Sequence, residues 1–317
     1  MSKRYAIFCS GQGAQHASMF ALTEHAPVQI LPAWRNEILQ HILSDPTDIF
    51  ANRNAQPLIV SVGLTRWQTL RARVPAPALV AGYSIGELTA YGVAAALDGA
   101  ALVAVAGERA LAMDLCVESA HPQAMLAVSG LSAHQVQPIL QQYHLAIAIQ
   151  NDIDRLVVGG LASQCALAES ALMAIGASCQ RLPVAVASHT PLMNNAVAPF
   201  ACVLEQCHWS PMIAPVLAGI DAHKVRAPSQ AIATLTAQLT DTIQWQECMD
   251  ACVENGIEVV LELGPGNALS RMMTAGIQQS PVARSMNFAA WAQCSIGCCN
   301  KLTDDVYCAD VFFRRSS

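Results

Sequence analysis

The sequence is short of positive charge: Lys and Arg number 17 against 23 Asp and Glu, a net charge of −6. No segment carries a basic stripe, which argues against nucleic acid as an electrostatic partner. The start of a secreted protein is missing too. Met1-Ser2-Lys3-Arg4 leads straight into a strand-like Tyr5 to Ser10, without the longer apolar core and small-residue cleavage site of a signal peptide. No run is long enough to cross a bilayer, since Tyr91 to Ala106 is broken at Asp98 and Gly99. Regularly paired cysteines are absent. Among the 12 cysteines, Cys9, Cys116, Cys165 and Cys179 are scattered through apolar segments, as expected of buried free thiols in a reducing compartment. A soluble, cytoplasmic protein follows, with no membrane and no nucleic-acid partner. At 317 residues and 53% apolar, the chain can build one large domain or two modest ones around an ample core.

The stretch Leu79-Val80-Ala81-Gly82-Tyr83-Ser84-Ile85-Gly86-Glu87-Leu88 organises the rest. An apolar strand meets Gly-x-Ser-x-Gly and turns helical. A serine between two glycines at such a turn is held in a strained conformation with its hydroxyl exposed, and the N–H of Ile85 at the start of the next helix is placed to stabilise an oxyanion. The same pattern also occurs as an ordinary glycine-rich turn.

Upstream, the strand Tyr5 to Ser10 runs into Gly11-Gln12-Gly13-Ala14-Gln15, either a tight turn or a loop whose uncharged donors suit a carbonyl oxygen becoming negative. A mixed, helical pattern occupies 21–55, and Gln56-Pro57 is expected to start a helix over 58–71. Helices follow over 88–96 and 99–113. The second holds Arg109 among alanine, valine and leucine, on a solvent edge or directed into a pocket to hold an anion.

From 124 to 187 the units shorten: strand 124–128, helix 132–143, strand 145–150, strand 155–158, helix 161–175, strand 179–186. That β-α-β-β-α-β order is ferredoxin-like and reads as a small domain inserted into a larger one. His189 lies where the chain leaves it, a structural histidine or a general base at a domain seam. Helices are expected over 231–238 and 245–255, and Glu258 to Leu263 is a strand ending in Gly264-Pro265-Gly266-Asn267. After Ser285 the character changes. Cys294, Cys298, Cys299 and Cys308 lack the regular pairing of a zinc site, and 286–317 reads as an atypical tail.

Taken together, Gly11-Gln12-Gly13-Ala14-Gln15, Gly82-Tyr83-Ser84-Ile85-Gly86-Glu87, Arg109, Ser188-His189 and Gly264-Pro265-Gly266 resemble the malonyl-CoA:acyl-carrier-protein transacylase family over residues 5 to 285. The resemblance implies an α/β-hydrolase-like large domain, 1–123 and 188–285, with an inserted ferredoxin-like small domain, 124–187. It implies that Ser84 attacks the thioester, that His189 takes and returns its proton, and that Arg109 binds the free carboxylate of the malonyl group. Backbone N–H groups of Gln12 and Ile85 would form the oxyanion hole, and the main-chain carbonyl of Gln238 would orient the histidine. No bound cofactor and no metal are implied. Malonyl-CoA is the substrate, and the partner is a carrier protein bearing phosphopantetheine.

Two positions depart from the family pattern. Tyr83 replaces the usual histidine before the nucleophile, and Ser188 stands where malonyl-specific fatty-acid-synthesis members usually carry phenylalanine. With the runs 187–192 and 219–223, these look more like the transacylase subunit of bacterial malonate decarboxylase, whose other subunits would then be partners. A carrier protein is acidic, as this chain is, so docking would need a local basic patch, for which Lys224, Arg226 and Arg271 are candidates.

Overall fold

The computed structural model describes residues 4–16, 19, 48–279 and 293–296. In chain order the elements are β1 (Tyr5–Cys9), α1 (Asn52–Leu70), β2 (Leu79–Gly82), α2 (Gly86–Val93), α3 (Gly99–Asp114), β3 (Gln123–Ser129), α4 (Ala133–Gln142), β4 (Ala146–Asp152), β5 (Arg155–Leu161), α5 (Ala162–Ala174) and β6 (Ser178–Arg181). Then come α6 (Asn194–Glu205), β7 (Val216–Leu217), β8 (Lys224–Val225), α7 (Pro228–Ala237), β9 (Ile243–Gln244), α8 (Trp245–Glu254), β10 (Val259–Leu263), α9 (Ala268–Gln279) and β11 (Gln293–Ile296).

These form two sheets in a mixed α/β architecture. The larger has the order β11-β10-β1-β2-β7-β8 and is parallel except for the β7–β8 pair. Its central strand β1 is apolar and buried along its whole length, as a strand covered on both faces must be. Alternation divides it cleanly. Tyr5, Ile7 and Cys9 join one core with α1, α2 and α3, while Ala6 and Phe8 join another on the opposite face.

The smaller sheet has the order β6-β3-β5-β4-β9. β3, β4, β5 and β6 pair antiparallel, and β9 adds to β4 in parallel. Leu126 and Val128 of β3 face α4 and α5, in a core with Val136, Leu140, Cys165 and Leu172. Met125 of the same strand points the other way, into the core that also takes Phe8 from the large sheet. The two sheets therefore share one hydrophobic core. Trp245 is its largest member, fully buried, with its ring edge-on to Phe8 at 5.0 Å and to Tyr83 at 5.4 Å.

Three sequence expectations are corrected. α1 begins at Asn52, five residues before Pro57, so the proline sits in the second turn and leaves the Arg53 carbonyl without its helical donor; the start of the helix is held by the Asn52 side chain, which donates to the Ala110 carbonyl and the Asp114 carboxylate at 3.1 and 2.9 Å. The strand expected over 179–186 stops at Arg181. Pro183 has no N–H for a ladder, and Leu182 and Val184 line a cavity instead. Within the segment set apart after Ser285, residues 293–296 pair in parallel with β10. The pattern expected over 21–47 and the rest of the 286–317 tail lie outside the described residues.

Trp245→Ala should cost about 3–5 kcal/mol, the range for truncating a fully buried aromatic, read as a lowered urea midpoint in equilibrium unfolding.

Candidate active site

β2 ends against the first turn of α2, and the turn between them carries Ser84 at φ 55°. A Cβ on Gly82 would lie 2.2 Å from the backbone of Gly86 and Glu87, and one on Gly86 would lie 2.2 Å from the Cys9 carbonyl oxygen. The two glycines are therefore required by close approach of the turn to itself and to β1. Tyr83 N–H donates to the Cys9 carbonyl at 3.0 Å, and Glu87 N–H to the Ser84 carbonyl at 3.0 Å. These bonds hold a serine in a conformation it would not adopt alone.

His189 also sits at positive φ, 61°. Its N–H donates to the Leu239 carbonyl at 2.9 Å, and its ring Nδ1 lies 2.5 Å from the Gln238 carbonyl oxygen. A carbonyl only accepts, so Nδ1 carries the proton and Nε2 presents its lone pair. Nε2 lies 2.7 Å from Ser84 Oγ. Burial, with the charge of Arg109 second, pushes the His189 pKa down to about 3 against the opposing effect of the Gln238 carbonyl. The imidazole is neutral at physiological pH and ready to take the serine proton.

Arg109 is 1% exposed, which removes the solvent-edge reading. Its two terminal nitrogens donate to Gln56 Oε1 at 2.8 Å and to Gln238 Oε1 at 3.0 Å, both neutral amides. Its Nε has no partner, and among the described residues no carboxylate lies within ion-pair distance of it. Burial pulls its pKa down to about 10, with Glu87 opposing, so it stays charged.

A cavity of about 320 Å³ opens beside Ser84 and His189, between the Gly11–Ala14 loop, Tyr83, the face of the small sheet that bears Met125 and Ile149, and Met272 of α9. Gln12 and Ser188 line it; Arg109 does not. Among the described residues no acceptor is found for the backbone N–H of Gln12 or of Ile85, which leaves both free to meet an oxyanion. Tyr83 donates its phenol to Asn151 Oδ1 of β4 at 3.0 Å and so ties the turn to the small sheet. Ser188 Oγ meets the Met125 sulfur at 3.4 Å.

The structure thus gathers Ser84, His189, Gln238 and Arg109 into one bonded cluster, with Gln12 and Ile85 flanking the serine. Lys224, Arg226 and Arg271 do not cluster. The first two are on or beside β8 at one edge of the large sheet, whereas Arg271 is on α9, which follows β10 on the other side.

Sequence reasoning missed the supporting polar residues. Asn52 Oδ1 accepts from Gln56 Nε2 at 2.6 Å and from Gln12 Nε2 at 3.3 Å. Glu87 Oε2 accepts from Gly219 N–H at 3.0 Å and from Gln238 Nε2 at 2.5 Å. The available signal was a single carboxylate in the otherwise uncharged helix Gly86 to Val93, and Gln56 beside the apolar run that begins at Pro57. Among the described residues no group of acidic, histidine or cysteine side chains could hold a metal ion, and no helix is long and apolar enough to cross a membrane.

Folded His189 titrates near 3 and an ordinary histidine near 6.5. Between those values the unfolded chain binds a proton that the folded chain refuses, so stability falls as pH is lowered through that window, by at most about 1.4 kcal/mol per pH unit from this group. Urea unfolding of wild type and His189→Asn should show a shallower acid-side loss in the variant.

Residues 7–294 match the model of the acyl transferase domain family. A malonyl CoA-acyl carrier protein transacylase of Mycobacterium tuberculosis is 29% identical over 276 residues, 84% of this chain and 90% of the relative. Solved structures include a malonyl CoA-acyl carrier protein transacylase from Coxiella burnetii at TM-score 0.79 and 23% identity, covering 90% of this chain and 97% of that one. A malonyl-transacylase in complex with a type II polyketide acyl-carrier protein superposes at TM-score 0.83 and 21% identity, covering 96% and 98%. The sequence match, together with a fold and a serine–histidine pair that suit acyl transfer, places this chain in the acyl transferase domain family.

Proposed function

We propose that the protein transfers a malonyl group from malonyl-CoA to the phosphopantetheine thiol of an acyl-carrier protein through a malonyl-serine at Ser84. The observation that carries the reading is Arg109, a buried guanidinium beside the serine–histidine pair whose partners are amide oxygens. A buried cation is stable when paired, and although Arg109 does not line the cavity, its unpartnered Nε and the second hydrogens on its terminal nitrogens leave it donors for a substrate carboxylate. The transacylases among the relatives point the same way.

Chemically, Ser84 Oγ attacks the thioester carbonyl as His189 Nε2 removes its proton. The tetrahedral oxyanion is received by the N–H groups of Gln12 and Ile85. Collapse breaks the carbon–sulfur bond, and the departing CoA thiolate takes the proton from His189. The carrier thiol then gives its proton to His189 and attacks the malonyl-serine; Ser84 leaves with that proton. The Gln238 carbonyl, accepting from Nδ1–H, stabilises the imidazolium formed in each half.

The same reading takes 124–187 as an inserted ferredoxin-like unit in an α/β-hydrolase-like domain, 1–123 and 188–285, supported by the order β6-β3-β5-β4. Its finer form is the transacylase subunit of a malonate decarboxylase, alongside that enzyme's other subunits. Tyr83 and Ser188, both lining the cavity, are the positions where the chain departs from the malonyl-specific fatty-acid-synthesis pattern and support this form; a fatty-acid or polyketide malonyl transacylase is the alternative. A serine hydrolase is the competing class. It would gain nothing from a buried cation.

Intact-protein mass spectrometry after mixing with malonyl-CoA should show one malonyl adduct on Ser84, with acetyl-CoA a poorer donor. Arg109→Ala should abolish the preference for malonyl; unchanged labelling would favour a hydrolase. In the second half-reaction, because Lys224, Arg226 and Arg271 do not form one basic patch, reversing their charges should leave both transfer to the carrier and acylation by malonyl-CoA intact, and a selective loss of the transfer rate would return them to docking.

A further inference from the structure

Gln238 touches three parts of the site at once. Its main-chain oxygen accepts from His189 Nδ1 at 2.5 Å, its side-chain oxygen accepts from Arg109 at 3.0 Å, and its side-chain NH2 donates to Glu87 Oε2 at 2.5 Å. An amide has an acceptor end and a donor end that are nearly the same shape, so its orientation is fixed only by its partners. Arg109 has donors alone, and Glu87 Oε2, already taking the Gly219 N–H at 3.0 Å, is an acceptor. Between them only one orientation satisfies both. Without Glu87, the NH2 end would keep only the Ser84 carbonyl at 3.4 Å, a long and weak bond.

Glu87 itself is costly where it is. It is fully buried, its Oε1 accepts no hydrogen bond although the Tyr91 phenol is near, and desolvation pushes its pKa up to about 7 against the hydrogen bonds from Gly219 N–H and Gln238 and the more distant charge of Arg109. Nothing in the acyl-transfer steps above uses it.

We propose that Glu87 is the positioning residue for diacid selectivity: by accepting from the Gln238 side chain it turns the amide oxygen toward Arg109 and aims the guanidinium at the substrate carboxylate. This rests on the reading of Arg109 given above. Glu87 does not touch the acyl group. Its effect passes through Gln238, whose main chain serves the histidine while its side chain serves the arginine. What matters is the acceptor oxygen, which both the carboxylate and the carboxylic acid provide, and which glutamine would provide as well.

The experiment compares rates of Ser84 labelling by malonyl-CoA and acetyl-CoA in wild type, Glu87→Gln, Glu87→Leu and Arg109→Ala. Glu87→Leu should lower the malonyl-to-acetyl ratio of rate over half-saturating concentration by up to about tenfold, the loss of one hydrogen bond. Glu87→Gln should restore it, because an acceptor is back in place. Gln238→Met supplies a second route should Glu87→Leu fail to fold, since it removes the amide but keeps the main-chain carbonyl, and should lower the ratio to the same degree. An unchanged ratio in a folded Glu87→Leu or in Gln238→Met overturns the proposal, as does a Glu87→Gln variant as impaired as Glu87→Leu. A wild type without an Arg109-dependent malonyl preference would instead sink the transacylase reading itself.

Discussion

The arrangement around the serine–histidine pair depends on the buried positive charge of Arg109. Arg109 projects from an alanine-rich helix into the buried interior, and its direct partners are amides, with the Glu87 carboxylate one amide further away. Those amides are bonded in turn: Gln12 to Asn52, Asn52 to Gln56, Gln56 to Arg109, Arg109 to Gln238, Gln238 to His189, and His189 to Ser84. The polar chain passes from the glycine loop to Ser84 without a gap. In a low-dielectric interior each of these bonds is stronger than in water, and each is costly to leave unmade. The positions of β1, α1, α3 and the segment after α7 are thereby coupled to one another by hydrogen bonding as well as by packing.

A second constraint is backbone strain, placed symmetrically across the site. Ser84 and His189 both occupy left-handed conformations that their side chains disfavour. Each is pinned by main-chain bonds to a neighbouring segment, Ser84 through the turn against β1 and His189 through Leu239. The 2.7 Å contact between their side chains thus joins two locally rigid loops. A proton transfer between fixed groups needs no reorganisation of either.

Much of this was legible in the sequence, for identifiable reasons. Gly82 and Gly86 announced the turn because steric exclusion leaves no other residue type there, and the alternation of short elements from 124 onward announced a separate sheet. His189 stood out only through its position at the exit from that sheet. Glu87, Gln56 and Asn52 carried no comparable signal, because a polar side chain at a helical position looks the same whether it faces water or another helix. The depth of Arg109 was equally hidden: an alanine-rich helix permits both an edge and a centre. The strand 293–296 was missed because four residues of mixed polarity have no period to read, and the pairing that defines it comes from β10. The early end of β6 was marked by Pro183, whose meaning emerges only once the neighbouring strand is known.

The small sheet is not self-contained. Its edge strand β9 arrives from a segment a hundred residues further along, between Gln238 and Trp245, and pairs with β4 at Ile149 and Gln150. Thr242 donates to the Ile147 carbonyl at 2.6 Å, and Gln244 N–H returns to the Gly219 carbonyl at 2.7 Å. The segment that seats the histidine is therefore also the stitch between the two sheets. In terms of modularity, the unit cannot be exchanged between family members by cutting at its two sequence boundaries alone. A chimera joined there would inherit one parent's cavity wall and the other parent's seam, and would have to carry residues 238 to 249 with the small sheet to keep wall, seam and histidine seat from a single ancestor.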